Sequence, residues 1–184
     1  MEKFWHKRIL WIVLVGALAV AVVIFTRAVL AAPAALGASP DGMWTEISEA
    51  SLRNVGERRI IPLRYRTFAL DIAGLQAQLS QATMELSPQV QRELAEITLP
   101  LPDGSYGRFV FVESPVMAPE LAAKFPEIHT YLGRGVDDPT ATVRFDWTPH
   151  GFHAMILSSS QTVFIDPYSW GNTQAYLSYY REDY

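Results

Sequence analysis

Two short segments, "LPDG" at 101–104 and "TPHG" at 148–151, constrain the fold of this chain more than anything else in it. Each puts proline at the second turn position, Pro102 or Pro149. Asp103 or His150 takes the third position and Gly104 or Gly151 the fourth. Proline presets the φ of a type I turn, and glycine accepts the left-handed backbone that follows. Such a turn joins two antiparallel strands through a three-residue loop with a bulge. The flanks agree. Ala141, Val143, Phe145 and Trp147 alternate with Thr142, Arg144, Asp146 and Thr148, while Phe109 and Phe111 alternate with Val110 and Val112. Leu94 to Leu101 leads into the first turn, "FHAMILS" leaves the second, and "TVFIDPY" and "AYLSYYRED" predict two more strands. The expected fold is mainly β (α+β): an antiparallel sheet built from hairpins, with two or three short helices.

The helices are local features. Asp71 offers an N-cap, and Ile72, Leu75 and Leu79 at helical spacing predict a short amphipathic helix over about 72–81. "SPQVQRELAEI" predicts a helical turn that gives way to a strand near Leu94. In "APELAAKFP", Pro119 starts a third helix and Pro126 stops it. Upstream, "RRIIPLRYRTFALD" alternates like a strand from Ile60 to Phe68, with Pro62 marking its beginning or an edge.

The amino terminus has a different character. Lys3, Lys7 and Arg8 precede an apolar run of 17 residues, Ile9 to Phe25, followed by the Ala/Pro-rich "AVLAAPAALGASP". A basic start, an apolar run and small residues predict an export signal, cleaved after Ala31 or Ala38, or else an uncleaved membrane anchor. The expected organisation is a signal or anchor over 1–38, a partly ordered polar lead-in over 39–56, and one domain over 57–184. The product is expected to be secreted or otherwise extracytoplasmic, either free or held by residues 9–25. From Ser39 onward, 11 Lys and Arg face 18 Asp and Glu, a formal charge of −7. That acidity argues against nucleic acid as a partner. The chain has no cysteine, so it makes no disulfide of its own.

Catalytic and metal signatures are weak. His150 at a turn tip and His153 in the returning strand do not have the one-helical-turn spacing common in zinc sites. Asp137 and Asp138 in "GVDDPTA" are best explained as Asp-Pro turn residues, and "SSSQ" at 158–161 as a hairpin loop. The tyrosines at 176, 179, 180 and 184 fit cross-strand pairs better than a ligand platform. No cofactor or metal is expected on this chain.

The segments "ERRIIPLRYRTFALD", "ITLPLPDGSYGRFVFVESPVMAPELAAKFPEIHTYLGRGVDDPTATVRFDWTPHGFHAMILS" and "VFIDPYSWGNTQAYLSYYRED" cover most of the exported chain. They resemble the N-terminal pro-region of bacterial secreted reprolysin-like (metzincin) zinc metallopeptidases. In that family the segment precedes a zinc-dependent catalytic domain. The resemblance implies a zymogen propeptide, with hydrolase activity and zinc in the parent protein and the cognate catalytic domain as partner in cis. The motif H-E-x-x-H-x-x-G-x-x-H has no counterpart in these 184 residues, so this chain is not expected to be an enzyme by itself. Without a thiol, inhibition would run through a carboxylate on the zinc, with Asp137, Asp138 and Asp183 as candidates, or through steric cover, including a strand edge offered to the protease. Two alternatives are an exported carbohydrate- or peptide-binding module and a free-standing protease inhibitor.

Overall fold

The structure, a computed structural model, describes residues 37–52, 56–85 and 94–184. The predicted signal or anchor, the cleavage position at Ala31 and the helical turn after Ser87 lie outside the described residues. No described helix is long and apolar enough to cross a membrane.

Residues 37–184 form one compact unit. It is mainly β, with nine strands among the described residues: β1 (Trp44–Glu46), β2 (Arg66–Leu70), β3 (Ala95–Pro100), β4 (Tyr106–Glu113), β5 (His129–Gly135), β6 (Thr142–Thr148), β7 (Gly151–Leu157), β8 (Thr162–Pro167) and β9 (Ala175–Tyr180). All pairings are antiparallel, in the order β1-β2-β9-β8-β7-β6-β5-β4-β3. The helices described are α1 (Ile72–Leu79), α2 (Pro119–Ala122) and two 3-10 turns, Glu49–Leu52 and Arg181–Asp183. Both predicted hairpins are present, and Gly104 and Gly151 take φ values of 92° and 117°. The first loop has the expected three residues between Leu101 and Ser105, but the second has two, with Thr148 opposite Gly151.

Period-two alternation sends one face of every strand inward. Phe68, Ile97, Leu99, Phe109, Phe111, Val143, Phe145, Phe152, Ile156 and Ile165 are buried in one core. Aromatic rings link across it: Phe145 lies 4.9 Å from Tyr131, 5.2 Å from Phe111 and 5.6 Å from Phe152. α1 adds buried Leu75 and Leu79 and packs against β3. The Asp71 side chain makes no capping hydrogen bond, although its carbonyl accepts the Leu75 N–H.

The sheet nearly closes on itself. β3 and β1 do not pair, but side chains bridge the gap: the Trp44 indole N–H donates to the Thr98 carbonyl at 2.9 Å, and the Ser178 hydroxyl donates to the Pro100 carbonyl at 2.8 Å. The far edge of β1 is covered by residues 37–39. Ala38 bridges Thr45, and the Glu46 N–H donates to the Gly37 carbonyl at 2.6 Å. Residues 37–39 thus occupy the β1 edge, and on the β3 edge the Thr98 and Pro100 carbonyls are engaged.

Two sequence expectations change here. The lead-in is part of the sheet: Trp44 is fully buried, with ring contacts of 5.6 Å to Phe152 and 5.5 Å to Tyr176. Its polar neighbours hid one large apolar anchor. Conversely, Ile60 to Tyr65 is not strand, and β2 begins at Arg66. Pro62 has no N–H for a ladder. Ile61 and Leu63 are exposed, while Ile60 and Tyr65 join a second apolar cluster on the outer face with Leu52, Tyr168, Leu177 and Tyr179. Glu49 ties this strap down by accepting the Tyr65 hydroxyl at 2.6 Å, the Tyr168 hydroxyl at 2.7 Å and Arg58 at 3.0 Å.

Candidate functional site

The predicted carboxylates are held in place. Asp137 receives two hydrogen bonds from Arg108, at 2.7 and 3.1 Å. Asp138 accepts the backbone N–H and hydroxyl of Thr140, and Asp103 accepts those of Ser105. These bonds hold all three carboxyls below the usual carboxylate range. The three line one end of the barrel, around a cavity of about 330 Å³ bordered by Tyr106, Gln161 and Tyr180. Asp183 is buried and accepts from Arg64 Nε at 2.7 Å. The Pro149–His150 turn falls at the opposite end of β6 from the 136–141 loop.

A different set of groups converges on the outer face of β6, β7 and β8. Asp146 and His153 are cross-strand partners of the second hairpin. The His153 Nδ1–H donates to Asp146 Oδ1 at 2.9 Å. Asp166 follows on β8, one step past the Ala154–Ile165 pair, and accepts the Tyr179 hydroxyl at 2.9 Å. The bond to Asp146 and its charge raise the His153 pKa against the effect of burial. Burial pushes the Asp166 carboxyl up despite the Tyr179 hydrogen bond. A groove of about 300 Å³ runs over these groups, walled by Val116, Arg144, Met155 and Phe164.

His153 also borders a smaller depression of about 120 Å³ that contains His150, Arg59 and Trp170. The His150 ring stacks 4.5 Å from the Trp170 ring, and the Arg59 guanidinium sits 3.6 Å above it. The hairpin therefore brings both histidines to one surface, with separate partners. Among the described residues no group of three or more His, Cys, Asp or Glu side chains could hold a metal ion. The chemistry this array offers is proton uptake and hydrogen bonding beside an apolar wall.

The second hairpin closes over two residues, with Thr148 opposite Gly151, and that register sets Asp146 opposite His153; the expected three-residue loop would set Asp146 opposite Ala154 instead. Asp166 and Tyr179 arrive from other strands. Comparison with known proteins returned no match to a family model, to a curated protein or to a solved structure.

Proposed function

We propose that this chain is the exported pro-region of a reprolysin-like zinc metallopeptidase, acting as folding aid and latency device by steric cover. The sequence resemblance is the starting point. The observation that carries the reading is how that resemblance maps onto the fold: the three segments supply β2 to β9, the whole barrel apart from β1. A block that folds as one cysteine-free unit suits a domain that must form before its protease does. Cover would come from loops and the outer face, because the β1 edge is occupied and two carbonyls of the β3 edge are engaged. Steric cover is favoured over zinc ligation because Asp137, Asp138 and Asp183 are each committed to partners within the domain.

In this reading residues 1–38 direct export, as signal or as anchor, and the barrel works outside the cytoplasm. A cut after Ala31 leaves the Gly37–Ala38 cover of β1 intact, whereas a cut after Ala38 removes it. The decisive experiment mixes the chain with the catalytic domain encoded in frame with it. Inhibition retained by Asp137→Ala/Asp138→Ala, and by Asp183→Asn if that variant keeps a native melt, supports steric cover. Loss of inhibition in a folded variant moves the mechanism to the zinc-bound carboxylate, and absence of inhibition by the parent chain removes the proposal.

A further inference from the structure

Inward-facing side chains along β4, β5 and β6 are apolar until the end where β4 finishes and β5 begins. There the inward positions become Glu113, His129 and Trp147. Register places Glu113 opposite Tyr131 and His129 opposite Trp147. The His129 Nδ1–H donates to Glu113 Oε1 at 2.8 Å. Tyr131 is 4% exposed and stacks on Phe145, yet its hydroxyl has no hydrogen-bond partner among the described residues. Burial and the Glu113 charge push that hydroxyl's pKa up to about 12, so it stays protonated. These groups, with Glu127 and Gln76, line an open cavity of about 450 Å³ beside α1.

Negative charge marks the cavity. Glu127 and Glu113, the latter with one oxygen held by His129, supply carboxylates, Tyr131 adds a further oxygen acceptor, and the half-buried Trp147 adds an aromatic ring, beside the donors of Gln76 and Ser80. A hydroxyl at the cavity wall that makes no internal hydrogen bond is free to accept one from a ligand. Carboxylates favour the fork of N–H donors on a guanidinium, and indole attracts a cation above its face. We propose that this cavity binds the guanidinium of an arginine side chain presented by a partner peptide. A neutral sugar fits less well, since it leaves the Glu127 charge without a counterion.

The test is calorimetric titration of the full chain, in mild detergent, with N-acetyl-Ala-Arg-Ala amide and with its citrulline twin, which keeps the shape and loses the charge. Saturable binding of the arginine peptide is expected, with citrulline roughly tenfold weaker or worse. Glu127→Gln and Trp147→Ala are each expected to weaken binding by about tenfold. Glu127 is exposed, so its variant tests the idea even if Trp147→Ala fails to fold. Absence of saturable binding, equal binding of citrulline, or parent-like affinity in the folded Glu127→Gln variant overturns the proposal. Preferential binding of a neutral oligosaccharide does the same. The outcome is independent of the pro-region reading: arginine binding can fail while protease inhibition persists, and the reverse.

Discussion

Trp44 is where the closure of the sheet can be measured. Its side chain is fully buried, it meets Phe152 and Tyr176 edge-on, and its N–H is the direct hydrogen bond from β1 to β3. Trp44→Ala removes the ring and leaves a cavity, a change that costs about 3–5 kcal/mol in well-packed cores. Trp44→Phe isolates the seam. It keeps an aromatic ring but strips the donor from the Thr98 carbonyl, in a residue that is 4% exposed. A buried acceptor left unpaired costs about 1–3 kcal/mol, and the smaller ring adds about 1 kcal/mol of lost packing. The expected total for Trp44→Phe is therefore about 2–4 kcal/mol. Domains of this kind have roughly 5–15 kcal/mol to lose, so both variants should remain measurable by urea unfolding followed by circular dichroism. The midpoint should fall with little change in slope. Trp170→Phe is the control: that ring is 50% exposed, and the expected change is within about 0.5 kcal/mol. A Trp44→Phe midpoint equal to that of the control would refute the claim that the indole joins the two edges.

Other perturbations test the turns and the outer-face array. Gly135→Ala would place a Cβ 2.2 Å from the Asp138 carbonyl oxygen; overpacking against backbone should cost about 1–3 kcal/mol or more in the same urea assay, and unchanged stability would show that the 136–141 loop moves freely aside. Melting temperature measured from about pH 3 to about pH 9 should peak in mild acid. His153 is raised above its ordinary value of 6.5 by Asp146, so its contribution is complete below that value and is lost as pH climbs through the raised one. Asp166, raised by burial, loses its contribution in the same direction at lower pH. Glu49, Asp103, Asp137 and Asp138 are held low, so theirs is present above the ordinary carboxylate range and is lost as pH falls through the lowered values. His153→Asn should flatten the fall on the alkaline side, and an equally steep fall in that variant would count against the Asp146 pairing.

Much of the fold was legible because its causes are local. Phe109 and Phe111 alternate with Val110 and Val112, and that spacing separates the two faces of β4; which of these apolar faces turns inward comes from the structure. Pro102-Asp103-Gly104 and Pro149-His150-Gly151 each named a turn and the two strands it joins. The second turn closes over two residues where three are expected, and only that observed register pairs Asp146 with His153. The strap over 57–65 was misjudged because Ile60 to Tyr65 alternates like a strand, while its partners, Glu49 and the outer face of β9, are remote in sequence. In the lead-in, Trp44 and Ile47 are legible as docking residues, but one tryptophan among polar neighbours gives no periodic signal that Trp44–Glu46 pairs as a strand.

By itself the sequence determined an antiparallel, cysteine-free sheet, its principal hairpins and the alternation of faces along β4 and β6. Turn chemistry and a period of two act over a few residues, so they survive without knowledge of the rest. Tertiary structure decided which strands become neighbours, how β1 and β3 are joined, and which polar groups share a cavity. The bond from Trp44 to Thr98 spans 54 positions, and Glu113, Glu127, His129 and Trp147 meet through strand register and a loop. Contacts of that range depend on the order in which strands assemble, a property of the closed sheet as a whole that no short window of residues contains.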